Sequence, residues 1–148
     1  MKANKIIVSG LAATSLMTLF SYIVSAYKEK NFKEPELLAA LEENALPAEA
    51  KKLALPAGWS THFGVGIVWA GVYEYLWQNA DIKPTLKSGL VLGGLSGLMG
   101  VLIWRAAFKI HPAPPRIEYG RFFGHLILAH VVYGIVVTMA GKDRKAIL

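Results

Sequence analysis

The chain has 148 residues, 54% of them hydrophobic and 18% charged, with a formal net charge of +6. Its charges are bunched between long apolar runs, which excludes an ordinary soluble domain, and its basic residues flank those runs without forming a face interleaved with aromatics, which excludes a nucleic-acid surface and suits lipid head groups. The absence of cysteine excludes disulfides, thiolate metal sites and thiol chemistry.

Four stretches, roughly Ile6 to Tyr27, Ala57 to Trp77, Leu86 to Phe108 and Phe122 to Ala140, each reach the about 20 residues that carry a helix across the roughly 30 Å hydrocarbon core. Together they predict one membrane domain spanning residues 1–148, an all-α integral membrane four-helix bundle with short interfacial helices in its first loop.

The first stretch follows Met1 to Lys5 and could be a secretory signal, with Val24-Ser25-Ala26 as a cleavage-like ending. Its apolar run outlasts the about 7 to 15 residues of a signal core, so a retained helix is expected. Thr14, Thr18, Ser21 and Ser25 recur at helical spacing and form one polar face, suited to packing against a neighbouring helix.

Residues 28–56 form the extramembrane loop. Pro35 suits a first helical turn, Leu37, Leu38, Leu41 and Ala45 repeat at helical spacing, and Pro47 restarts the chain before Glu49 to Leu53. Two short helices are expected, lying on the membrane surface or capping the bundle, since a segment of this size buries no core of its own.

The second stretch aligns Gly66 and Ala70 with His62, and carries Glu74 among Tyr73, Tyr75 and Trp77, where an aromatic belt is expected. The third repeats Gly89, Gly93 and Gly97 every four residues, with Ser96 and Gly100 beside them. Such small-residue faces let another helix approach closely, from the same chain or from a second copy in a homo-oligomer. Arg105 near its end is placed to snorkel to the head groups. The connection His111-Pro112-Ala113-Pro114-Pro115-Arg116 is stiffened by three prolines, which hold His111 at the membrane surface.

Alternating crossings convert sequence position into depth. His62, Arg105, His111 and His125 should gather in the leaflet beside the long loop, His130 should lie about 7 Å deeper, and Glu74 should lie towards the opposite face. These six are the candidate polar cluster, because ionisable groups inside a membrane usually face protein or water. Each also has a plainer role, the histidines as interhelical hydrogen-bonding groups above all.

Gly58-Trp59 followed by His62, then His111-Pro112 with Pro114-Pro115, then Ala129-His130 with Gly134, resembles the pattern of a group of small four-span bacterial inner-membrane proteins of unassigned activity. The resemblance implies that location and supplies no catalytic residue.

The wealth of packing signals beside the lack of any complete catalytic, metal or cofactor motif favours a membrane-embedded accessory or structural component, with the bilayer as its surroundings and no cofactor. Two alternatives remain. One is transport of a small solute or proton by an oligomer. The other is an enzyme or haem or metal site, with His62 and His125 as paired axial ligands or joined by His111. Lys2, Lys5, Lys83, Lys87, Lys142, Arg144 and Lys145 share one face; Lys28, Lys30, Lys33, Lys51, Lys52, Arg105, Lys109, Arg116 and Arg121 share the other. This near balance leaves both orientations open, with both termini on one side.

Overall fold

A computed structural model describes residues 3–141. Lys2, Lys142, Arg144 and Lys145, named above among the basic flanks, lie outside the described residues. Among the described residues all regular structure is helical: α1 (Ala3–Lys28), α2 (Glu34–Ala45), α3 (Ala54–Asn79), α4 (Leu86–Ile110) and α5 (Tyr119–Gly141), with a 3-10 turn over Ala48–Leu53. The two short elements fall where Pro35 and Pro47 place them.

The four long helices contain 23 to 26 residues, so each rises about 35 to 39 Å. Three of them, α1, α4 and α5, are long and apolar enough to cross a bilayer, the mark of a membrane protein. α3 matches α1 in length but is not among the three. The expectation that four stretches are each apolar enough to cross is thus met by three, while Ser60, Thr61, His62, Glu74 and Gln78 dilute α3.

Local chemistry explains where the helices stop. Glu29 takes a left-handed conformation (φ 52°) after α1, and the Lys30 amide turns back to the Ser25 carbonyl at 3.2 Å. α4 begins at a reciprocal cap, in which the Ser88 amide donates to the Thr85 hydroxyl (3.2 Å) and the Thr85 amide donates to the Ser88 hydroxyl (2.9 Å). It ends where Pro112 follows His111, because the residue before a proline is driven out of the helical region.

Neighbouring long helices run antiparallel in the spatial order α3, α1, α5, α4. Gly10 of α1 lies against Ile67 and Ala70 of α3 while Thr18 reaches His62; Ser21 of α1 meets His125 of α5. The glycine face of α4 is filled by α5 of the same chain: a Cβ on Gly89 would come 2.7 Å from the Gly134 carbonyl oxygen, one on Gly93 2.7 Å from that of His130, and one on Gly97 2.8 Å from Ile127 Cα. α2 crosses α3 at Gly58, where a Cβ would stand 2.5 Å from the Ala39 nitrogen.

Two buried clusters result. One, around Ala70, Tyr73, Leu92, Ala129, Tyr133 and Val137, joins all four long helices with Ala13 and Met17. The other, on the α2 side, joins Phe32, Leu37 and Leu41 to Trp104, Phe108, Phe122 and Leu126. The polarity of the molecule is inverted relative to a soluble protein. α1 buries Ser9, Thr14, Thr18, Ser21 and Ser25 while exposing Ile7, Val8, Leu11, Leu16, Leu19 and Ile23.

Candidate functional site

The polar face of α1 organises the interior, and its hydrogen bonds fix where protons sit. The Thr18 hydroxyl donates to the Thr14 carbonyl at 2.7 Å, so its 2.8 Å contact with His62 Nε2 has the imidazole as donor. His62 in its uncharged form therefore keeps a lone pair on Nδ1. His130 Nδ1 donates to the Leu126 carbonyl at 2.9 Å, which leaves its Nε2 as an acceptor. The Ser21 hydroxyl donates to Glu34 Oε1 at 2.9 Å and accepts from His125 Nε2 at 2.9 Å.

α3 and α4 are not packed against each other along their length, and on the α2 side the gap between them holds a cavity of about 130 Å³. Thr14 and Met17 of α1 and Leu126, His130 and Tyr133 of α5 form its back; Val65 and Trp69 of α3 and Ile103 and Trp104 of α4 form its sides; Glu34, Leu38 and Leu41 of α2 close its end. Val65 and Ile103 are exposed, so the cavity opens sideways, between helices. Deeper in the bundle it is shut. There the Tyr133 hydroxyl donates to the Gly66 carbonyl, the Tyr73 hydroxyl lies 3.0 Å from that of Ser96, and the two tyrosine rings meet edge to face at 5.8 Å.

Two polar atoms of residues beside this cavity are unusual. Thr14 Oγ1 and Glu34 Oε2 are buried with no hydrogen-bond partner, although both residues are only 1% exposed. Such atoms cost about 1–3 kcal/mol each unless something supplies the missing bond. Gly66 makes the room for Thr14, since a Cβ there would strike its hydroxyl. Burial pushes the Glu34 carboxyl up to about 8, an effect its own backbone amide and the Ser21 hydroxyl partly oppose. The acid is thus protonated at neutral pH, and because Oε1 accepts from Ser21, the proton belongs on Oε2.

Of the six residues singled out by sequence, only His62 and His130 share this cavity. His125 lies elsewhere, stacked between Phe20 (5.3 Å) and Phe32 (4.6 Å). Arg105 is exposed on the outer side of α4. His111 is held at the end of α4, where its Nδ1 accepts from the Ala113 amide at 3.2 Å. Glu74 lies near the far end, 3.6 Å from Lys5 Nζ and accepting from Gln78 at 2.8 Å. The His62 and His125 pairing is not the arrangement found, because both faces of the His125 ring are covered and its Nε2 is engaged by Ser21. Among the described residues no three His, Cys, Asp or Glu side chains converge as a metal set.

Glu34 is not among the residues that the sequence singles out. A signal was present: Glu34, Leu37, Leu38 and Leu41 follow the i, i+3, i+4, i+7 spacing of one helical face. Thr14 was noted for packing, but nothing local to it indicates a missing partner.

No family model, no curated protein and no solved structure matches the chain.

Proposed function

We propose that the chain is a four-span bacterial inner-membrane protein, an accessory component that binds a small, mainly apolar molecule between α3 and α4. The observation that carries this reading is the cavity itself, apolar in most of its wall and open sideways between α3 and α4. An opening between helices at bilayer depth admits a molecule dissolved in lipid more readily than one dissolved in water.

That α3 is the fourth crossing is supported by its sidedness. Its polar His62 and Glu74 are buried, whereas Val65, Val68 and Val72 face outward, the arrangement of a helix bathed in lipid and lined inside with polar groups. The inner-membrane location rests on the resemblance carried by Gly58-Trp59, His62, His111-Pro112 and Ala129-His130. A pore is disfavoured by the tyrosine contacts that shut the cavity from within, and no second copy is needed to complete the site, since α5 already occupies the glycine face of α4.

Purified protein in lipid nanodiscs should bind n-butylbenzene saturably, at one site per chain, above the partitioning into empty nanodiscs. Val65→Trp, which fills the mouth of the cavity, should abolish that binding while leaving the protein folded. Partitioning alone, equal with and without protein, would defeat the reading.

A further inference from the structure

We infer that α2 is a lid over the end of the cavity, latched to α1 by the buried carboxyl of Glu34 and released when that carboxyl ionises. This inference rests on the ligand-binding reading above and adds the regulation of that site.

The attachments of α2 are those of a lid. Its Leu38 and Leu41 close the cavity on this side. The segments that tie it to the bundle are not helical: Glu29 takes φ 52° after α1, and Leu46 is extended (ψ 148°) before Pro47. Leu37 and Leu41 hold it down in one buried cluster with Trp104, Phe108, Phe122 and Leu126. Its polar ties towards the C-terminal end, Thr61 to Glu42 at 2.9 Å and Asn44 to the Ala113 carbonyl at 2.8 Å, are exposed and compete with water.

The tie at the N-terminal end is buried and ionisable. Glu34 is 1% exposed and accepts from Ser21, which accepts in turn from His125. No neighbour offsets a charge there. Lys33 of α2 pairs with Glu36 at 3.3 Å, Tyr22 of α1 donates to Glu36, and His125 of α5 reaches only Ser21. His62 of α3 and His130 of α5 lie across the cavity, and α4 lends its wall only Gly100, Ile103, Trp104 and Ala107. Among the described residues Glu34 has no ion-pair partner. An unpaired buried carboxylate is costly, and this one reaches water only if the first turn of α2 moves off α1. Leu38, one turn on, moves with it and uncovers the cavity end. Alkali favours this opening, because the closed form holds a proton that the open form loses between about pH 4.5 and about 8. Above about 8 both forms are ionised and the effect levels off.

Hydrogen exchange of the whole chain in lipid nanodiscs, read by mass spectrometry and corrected for intrinsic rates, tests the lid. Residues 37–45 should be at least about tenfold less protected than residues 122–137 of α5, since a lid opens without the bundle. Their protection should fall at least about tenfold from about pH 5.5 to about pH 7.5, within the limit of about tenfold per pH unit for one proton. Glu34→Gln, which keeps an acceptor for Ser21 and cannot ionise, should remove that slope. Equal protection of the two segments, or a slope that survives Glu34→Gln, would overturn the lid. n-Butylbenzene at about ten times its Kd should raise the protection of residues 37–45 about tenfold, because a ligand held behind the lid favours the closed form. Bound n-butylbenzene that leaves this protection unchanged would overturn the regulation. Failure of n-butylbenzene to bind saturably would overturn the ligand-binding reading, with the lid itself still decided by the exchange of α2.

Discussion

Away from α2 the bundle is closed by contact: α4 lies on α5 with glycine against backbone, and Tyr73 and Tyr133 fill the centre and spend their hydroxyls on Ser96 and Gly66. On the α2 side the same helices leave a gap, and a short helix from the loop covers its end. At the centre of the closed half the Tyr73 and Tyr133 hydroxyls have partners within the protein, whereas on the α2 side Thr14 Oγ1 and Glu34 Oε2 are buried without one. A membrane bundle held together by close backbone approach, without a hydrophobic force between its helices, can be tight in one half and hollow in the other.

The sharpest way to break this contrast is Gly93→Leu. With the His130 carbonyl 2.7 Å from where its Cβ would stand, α4 must move off α5, at a cost of about 3 kcal/mol or more. Gly94→Leu, at a position with nothing within 4 Å, should change stability by less than about 0.5 kcal/mol. Thermal unfolding in detergent compares the two, and equal effects would mean that the glycine face is not a structural contact.

The open half should reveal itself through pH. The folded carboxyl of Glu34 titrates near 8 and the unfolded one near 4.5, so between these values the folded state holds a proton that the unfolded state has lost. Stability is then fully present below about pH 4.5 and falls as pH rises towards about 8, by at most about 1.4 kcal/mol per pH unit for one proton. The groups around it are Ser21 and Tyr22 of α1, His125 of α5 behind Ser21, and His62 and His130 across the cavity. Glu34→Gln should flatten this part of the profile, and a slope that survives the substitution would assign it to one of those neighbours.

Much of the fold was legible in the sequence, because hydrophobic length, prolines and glycine spacing act locally. The span from Leu86 and the restart at Pro47 needed only a few neighbours to declare themselves. The α3 helix was harder, since polar residues lower its apolar character for reasons that lie in its partners: His62 meets Thr18 and the cavity, and Glu74 lies beside Lys5 near the far end. Depth reasoning put His62 and His125 together, but rotation about a helix axis decides which groups meet, and His125 turns to Phe20 and Phe32 while His130 turns to the cavity. The role of Glu34 depends on the fold of the loop back over α1, a contact 13 residues apart in sequence that no local pattern announces.

Smaller effects sharpen the same comparison. Tyr73→Phe removes the hydrogen bond to Ser96 in the closed half and should cost about 1 kcal/mol in the unfolding assay. Arg105→Gln, on the exposed side of α4, should change stability by less than about 0.5 kcal/mol. A larger loss there would place Arg105 in a contact the fold does not contain.

The central claim, that α3 completes a four-span bundle, is tested most directly by sidedness. The chain has no cysteine, so Lys51→Cys, Lys83→Cys and Arg116→Cys can each be made alone and labelled with an impermeant maleimide in sealed membrane vesicles of known orientation. Four crossings put Lys51 and Arg116 on one side and Lys83 on the other. Lys51 and Lys83 labelled from the same side, with Arg116 opposite, would mean that α3 does not cross, and would contradict the account.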